Sequence, residues 1–415
     1  MDDGAQVSRR HFFRTGLAAA AAGAALPAFG REEKPSATPE QNEQEVSGPL
    51  PTRKLGRTGV DVTMLGLGCA FPVNNRHLNI AHKLGVRYLD TAKVYLKGAS
   101  ERGLAEWFDA EGKRKEHFVV TKDLPLTPDQ IEPMIDERLE ALHTDYIDLF
   151  FLHGMGDDDH YHGVKDVEWF KDAEWLAAIE KVRKSGKCRF FGFSTHSNPI
   201  EVRTAMLNGA AQGGWVDAIM VAADPASIRE HPEFNKALDA CHKAGVGLVS
   251  MKECRGAPDL IGKVFPTFEE KGLSAYTAVL YAMWTDERFA CTCSHMDNVA
   301  KLEENAKACK EFKPLLEEEL IAVNLMLQNS TRTYCLACDG SCQRAAGTKA
   351  DLNKIARYVS YAEQDGRVYE ARELLQNLPD EARNVVGADL SAASKACRSK
   401  LNFEAILKRA GELLA

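Results

Sequence analysis

From Thr63 onward, eight short apolar runs recur along the chain, each followed by a stretch of different periodicity, and this alternation restricts the fold more than any other feature. The runs are TMLGLG (63–68), VRYLDTA (86–92), HFVVTKD (117–123), IDLFFLHG (147–154), CRFFGFST (188–195), AIMVAA (218–223), VGLVSMK (246–252) and ACTCS (290–294). Their length suits strands rather than helices. Between them, PDQIEPMIDERLEALH, DAEWLAAIEKVRKSG and PEFNKALDACHKAG repeat apolar residues at helical spacing, and the last two end at a glycine, a usual helix stop. Strand-helix units repeated in this number over roughly 250 residues predict an α/β protein built on a (β/α)8 barrel. A doubly wound open sheet is the rival, but it calls for G-x-G-x-x-G after an early strand, and the chain offers only G-L-G at 66–68.

The remainder of the 415 residues lies at the two ends of this run. The hydrophobic fraction of 45% is that of a globular protein with real cores. A formal net charge of -8, with Lys and Arg scattered, excludes nucleic acid and an anionic membrane surface as the main partner and favours a small molecule or a protein. Near the start, SRRHFFRTG sets Arg9 and Arg10 before LAAAAAGAALPA, an apolar stretch too short and too rich in alanine to span a bilayer. Residues 1–30 resemble a twin-arginine export signal cleaved near Gly30, with a Sec signal as the rival, so the expected location is periplasmic or extracytoplasmic and the protein is not expected to be integral to a membrane. Residues 31–50 carry almost no large apolar side chains and read as a disordered linker.

In barrels of this kind, reactive groups stand at the carboxyl ends of the strands. Asp90, Lys122 and His153 hold that position on the second, third and fourth runs, and Tyr95 follows in the loop after Asp90. A lone histidine at a strand end is usually structural. Four such groups in order on consecutive units are harder to dismiss.

Here the chain resembles the aldo/keto reductase family. LDTAKVYLKGASE (89–101) carries the Asp and Tyr, VVTK (119–122) the Lys and LFFLHG (149–154) the His. FFGFST, KAGVGLVSMK and NVAKLEEN extend the likeness to about residues 52–308, and KLGRTGVDVTMLGLG is similar to the hairpin that closes the barrel bottom in that family. The resemblance implies an oxidoreductase acting on a carbonyl or an alcohol, with Tyr95 as general acid/base, Lys122 lowering its pKa, Asp90 holding Lys122 and His153 orienting the substrate oxygen. It implies cofactor contacts at Ser194, Thr195, Lys252, Glu304 and Asn305. Two departures bear on that cofactor: Met220 and Ala223 stand where the family has an amide and a stacking tyrosine, and Asp297 stands where a small hydroxyl residue contacts the NADP 2'-phosphate. A carboxylate repels that phosphate, so NAD(H) is expected rather than NADP(H).

The loop HGMGDDDHYHG (153–163) has the composition of a cation site, but no second ligand group shares its spacing, and it reads as a solvated rim. Near the other end, TYCLACDGSCQRAAG (333–347) places Cys335, Cys338 and Cys342 in C-x2-C-x3-C spacing, one ligand short of a closed thiolate site. Eleven cysteines form an odd count that disulfides within one chain cannot use up. The segment after residue 325 resembles the ferredoxin-like segment carried by a subset of barrel reductases. In a two-cluster ferredoxin the last cysteine of each run ligates the other run's cluster. Cys397 takes that last position in the second run, whose earlier positions fall on Gly387, Leu390 and Ala393. The resemblance therefore implies one [4Fe-4S] cluster on Cys335, Cys338, Cys342 and Cys397, with disulfides or a zinc site as alternatives.

The expected organisation is a signal at 1–30, a linker at 31–50, a barrel at 51–325 and a small helical iron-sulfur domain at 326–415. The leading expectation is an exported reductase with an accessory cluster and an electron-transfer protein as a second partner. The alternative is a non-catalytic or repurposed barrel whose nicotinamide pocket has been altered.

Overall fold

A computed structural model describes residues 48–157, 161–196, 199–254, 266–329, 335, 340–364, 367–397 and 400–414. The export signal, nearly all of the linker and Cys338 lie outside the described residues.

An antiparallel hairpin, β1 (Thr52–Lys54) and β2 (Asp61–Thr63), precedes eight parallel strands: β3 (Leu65–Gly68), β4 (Tyr88–Asp90), β5 (Phe118–Asp123), β6 (Ile147–Leu152), β7 (Cys188–Thr195), β8 (Ala218–Ala222), β9 (Gly247–Met251) and β10 (Phe289–Ser294). They close as β10-β3-β4-β5-β6-β7-β8-β9, the order expected of a (β/α)8 barrel. Each of the eight barrel strands coincides with one of the apolar runs, β10 starting one residue before its run.

Alternation along each strand sorts the side chains between two environments. Tyr88, Phe118, Val120, Leu149, Phe151, Met220, Val249 and Cys291 belong to the cluster filling the barrel interior, whereas Leu89, Val119, Phe150, Phe191 and Val221 pack outward against the helices. Parity then decides where the polar strand ends point. Asp90 follows Tyr88 by two residues and Lys122 follows Val120 by two, so both face inward at the carboxyl end.

The hairpin closes the opposite end. Leu55 and Val62 are 0% and 2% exposed and join the interior cluster. Its turn fits closely beneath β9: the Arg57 amide donates to Gly245 O at 2.5 Å, and Gly56 has φ +48°. A Cβ on Gly56 would lie 2.4 Å from both Gly245 O and Gly247 N, so only glycine fits there.

After β10, the helices Val299–Lys310 and Glu317–Asn329 pack on the barrel through Leu302, Val323, Met326 and Leu327. The chain then forms the helices Ser341–Ala345, Leu352–Gln364, Val368–Asn377, Asp380–Arg383, Leu390–Ala396 and Phe403–Leu413. They share two small cores, one around Ile355, Tyr358, Val359 and Ala371, the other around Ala350, Leu352, Ala393 and Phe403. Residues Val46–Ala415 form one compact unit, so this helical tail is continuous with the barrel. Among the described residues no helix is long and apolar enough to cross a membrane.

Candidate active site

Lys122 Nζ lies 2.5 Å from Asp90 Oδ1, donates to Thr91 O at 2.8 Å and reaches the Tyr95 hydroxyl at 3.4 Å. Both Lys122 and Asp90 are buried at the inner end of the barrel. Burial alone disfavours the ammonium, but the Asp90 carboxylate and Tyr95 outweigh it and hold Lys122 above its ordinary range. Asp90 Oδ2 has no hydrogen-bond partner among the described residues, which leaves Lys122 as the group that compensates this carboxylate.

Tyr95 opens a tight turn over Tyr95–Gly98 in which Leu96 and Lys97 both take left-handed backbone angles, φ 52° and 55°. Two consecutive non-glycine residues in that region cost roughly 1–2 kcal/mol each, so surrounding contacts must hold the turn. One is the Lys97 ammonium, 5.3 Å from the centre of the Tyr369 ring in the tail. The His153 ring stands edge-on to Tyr95 with centroids 5.8 Å apart, and its backbone amide is fixed by Asp123 O at 2.9 Å. These contacts bring Asp90, Tyr95, Lys122 and His153 together as expected.

The electrostatic expectation for Tyr95 needs correction. Lys122 does pull its pKa down, but burial is the larger effect, aided by Asp90 and Cys293, and the phenol is pushed up to about 12. In this state Tyr95 is a protonated hydrogen-bond donor rather than a phenolate.

A buried network behind the strands fixes this group. Thr121, facing outward beside Lys122, donates to Glu101 Oε1 at 2.6 Å, and Arg138 contacts Glu101 at 3.2 Å and Asp123 at 2.5 Å. None of these stood out in the sequence, because Glu101 and Arg138 lie on helices among many other charged residues.

The four residues open into a cavity of about 850 Å³. Of the expected cofactor residues, Ser194, Lys252, Glu304 and Asn305 line it, while Thr195 does not. Ser194 points inward and accepts from the Gly154 amide at 2.9 Å; Thr195, one residue on, has the opposite parity and is fully buried. Lys252 leaves β9 with φ 61°. Asn305 donates to Ser294 Oγ at 3.2 Å, and Glu304 accepts from Ser274 Oγ at 2.6 Å. Met220 is part of the cavity wall, whereas Ala223 is buried in the outer core. Asp297 also lines the cavity. Burial would raise its carboxyl, but Lys301 Nζ at 2.7 Å prevails and holds it below the usual range, ionised.

The acidic loop differs from the solvated rim expected of it. Asp157 is 5% exposed and lines the cavity, His162 pairs with buried Asp166 at 3.3 Å, and residues 158–160 lie outside the described residues. The tail was not expected at the site at all, yet Tyr361, Arg367, Glu370 and Leu374 form part of the cavity wall.

Among the expected cluster ligands, Cys335 and Cys342 are buried in the smaller tail core, and Cys397 packs against the same core at the end of the helix Leu390–Ala396. The Asp389 amide, at the start of that helix, donates to Ala346 O at 3.0 Å and fastens the second segment to the first. Among the described residues no group of three or more His, Cys, Asp or Glu side chains is arranged to hold a metal ion.

The sequence pattern described as the aldo/keto reductase family matches residues 68–255. An NADP(+) aldo-keto reductase, yakc, of Schizosaccharomyces pombe is 29% identical over 223 residues, 48% of this chain and 60% of that protein. The L-galactose dehydrogenase of Arabidopsis thaliana is 27% identical over 40% of this chain and 54% of its own length. The chain thus spans little more than half the length of these curated relatives. A solved aldo-keto reductase from Bacillus halodurans superposes with a TM-score of 0.53 at 19% identity, covering 67% of this chain and 96% of that one, a likeness of fold.

Proposed function

We propose that the barrel of this chain, whose residues 68–255 match the aldo/keto reductase pattern, is an aldo/keto reductase that reduces a small carbonyl compound, or oxidises the matching alcohol, with Tyr95 moving the proton. The observation that carries this reading is the position of Lys122 Nζ, 2.5 Å from Asp90 and 3.4 Å from the Tyr95 hydroxyl, at the end of a cavity that also exposes His153.

Each residue has a role that follows from its surroundings. Tyr95, protonated in the resting site, donates a hydrogen bond to the substrate oxygen and gives up its proton as negative charge develops there. Lys122 stabilises the phenolate that remains, and Asp90 keeps Lys122 charged and immobile. His153, edge-on to Tyr95, orients the same oxygen. A nicotinamide dinucleotide, when bound, supplies the hydride. The donor set fits such a cofactor: Ser194, Lys252 and Asn305 present polar side chains along the cavity, and the ionised Asp297 opposes a 2'-phosphate. NAD(H) is accordingly proposed over NADP(H).

Met220 in the wall and Ala223 in the outer core favour a second reading, a barrel that no longer holds a nicotinamide ring. Titration of the full-length protein with NADH separates the two. Saturable binding together with carbonyl-dependent oxidation of NADH, lost in Tyr95→Phe, supports the first; no binding supports the second.

For the tail we propose a single [4Fe-4S] cluster on Cys335, Cys338, Cys342 and Cys397, able to exchange electrons with a partner protein. The reading is supported by the spacing and thiolate chemistry of the four cysteines; Cys335, Cys342 and Cys397 border one core but do not form a ligating group among the described residues. We also propose export through the twin-arginine route, supported by Arg9 and Arg10 ahead of the alanine-rich stretch. Replacing both arginines by lysine should leave the protein in the cytoplasm, and unchanged export would exclude that route.

A further inference from the structure

The tail helix Val368–Asn377 turns one of its faces to the active-site cavity. Arg367, which caps the helix, Glu370 and Leu374 all belong to the cavity wall, and their spacing of three and then four residues is that of a single helix face. Ala371 and Leu375 turn instead into the tail core with Ile355 and Val359. Tyr369 meets the Lys97 ammonium, two residues beyond Tyr95, so the helix runs beside the turn that carries the proton donor. Leu96 of that turn lines the same cavity.

The charged part of this helix face is neutralised within itself. Glu370 takes Arg367 Nε at 2.7 Å and Nη2, while the guanidinium stacks 4.7 Å from the Tyr361 ring centre. Asp90 with Lys122 and Asp297 with Lys301 are two further pairs in the cavity wall. A charged substrate would have to compete with a partner already in place, whereas an uncharged one leaves each pair intact. Leu374 differs from its neighbours on the face. It is half-buried, resting on the tail core while its remaining surface lines the cavity. Covering apolar surface of this kind strengthens binding by roughly threefold to fourfold for each methylene brought against it.

We propose that the helix Val368–Asn377 is the substrate-selecting wall of the cavity, and that Leu374 packs on the apolar body of an uncharged carbonyl compound whose oxygen faces Tyr95 and His153. The proposal rests on the carbonyl-reduction reading and names its substrate class. Leu374 is then a specificity-determining residue contributed from outside the barrel.

The test is calorimetric titration of the full-length protein with benzaldehyde, with its 4-methyl, 4-ethyl and 4-propyl derivatives, and with 4-formylbenzoate as the charged counterpart. Affinity should rise by roughly threefold for each added carbon that reaches the wall, and 4-formylbenzoate should bind no better than benzaldehyde. Leu374→Ala should flatten the series while leaving benzaldehyde nearly unchanged. Leu374→Trp, which fills the space, should invert it and make the 4-propyl compound the weakest ligand, a reversal that misfolding cannot produce. Glu373→Ala, on the exposed face of the same helix, should leave the series as it is. A series unaltered in Leu374→Ala and Leu374→Trp, no binding of any neutral aldehyde, or tighter binding of 4-formylbenzoate than of the 4-ethyl compound overturns the proposal. A series that responds to Leu374 without oxidation of NADH by any of these aldehydes leaves the wall standing and removes the carbonyl-reduction reading.

Discussion

The Lys122 ammonium lies 2.5 Å from Asp90 Oδ1 in a site where both side chains are withdrawn from water. Neither charge is tolerable there without the other, and this mutual dependence shapes both the chemistry and the stability of the barrel.

Removing one member should therefore destabilise more than removing both. Asp90→Asn is expected to cost about 3–5 kcal/mol, and the double variant Asp90→Asn with Lys122→Met to lie closer to wild type. Because Lys122 is raised in the folded protein, the pair's contribution is fully present below the lysine's unfolded pKa of about 10.5 and fades as pH rises beyond it. Denaturant unfolding of the three variants between neutral and alkaline pH checks both points.

Turnover should depend on Tyr95 and on the cation beside it. Tyr95→Phe is expected to lower kcat by about 10²-fold or more while leaving NADH binding intact. With the phenol near 12, carbonyl reduction should persist into the alkaline range and fall only as pH rises through that value. Lys122→Met removes the one effect that lowers the phenol's pKa, so the alkaline limb should move higher still while the rate drops. A limb that moves to lower pH would refute the assignment.

Asp297 predicts which dinucleotide is preferred. NADH should bind more tightly than NADPH, and Asp297→Ser should narrow or reverse the difference by removing a fixed negative charge at the cavity. Fluorescence titration of both cofactors reads this directly.

Iron content should follow the tail cysteines. Protein prepared anaerobically is expected to contain about four irons and four sulfides, lost equally in Cys338→Ala and Cys397→Ala despite the distance between them in sequence. Cys309, fully buried in the barrel core with its thiol pushed up to about 12 by burial, should be replaceable without loss of iron. Zinc in place of iron, or a disulfide between Cys335 and Cys342, ends the cluster reading.

The hairpin turn supplies a structural control. Gly56→Ala sets a Cβ 2.4 Å from Gly245 O in a left-handed backbone, and should cost about 2 kcal/mol or more. Thermal unfolding measures it.

The barrel was legible because its strands are buried on both faces and stand out as apolar runs between amphipathic helices. Asp90, Lys122 and His153 were legible because strand position alone puts them at the reactive end. What could not be read depends on distance or on competition. Tyr361 and Arg367 reach the cavity through docking of helices more than two hundred residues from Tyr95, and no local pattern marks that. Asp157 looked like one more charge in an acidic loop until folding buried it. The direction of Tyr95's shift turns on whether burial or Lys122 prevails, and residue types do not decide between them.

The plug formed by Leu55 and Val62 carries one more consequence. With the hairpin end of the barrel sealed by apolar side chains, protons reaching the Asp90–Lys122–Tyr95 chain must enter from the cavity side, past the wall to which Arg367 and Glu370 belong. Solvent isotope exchange at the innermost groups should therefore respond to substitutions in the tail and be indifferent to those on the outer face of the hairpin.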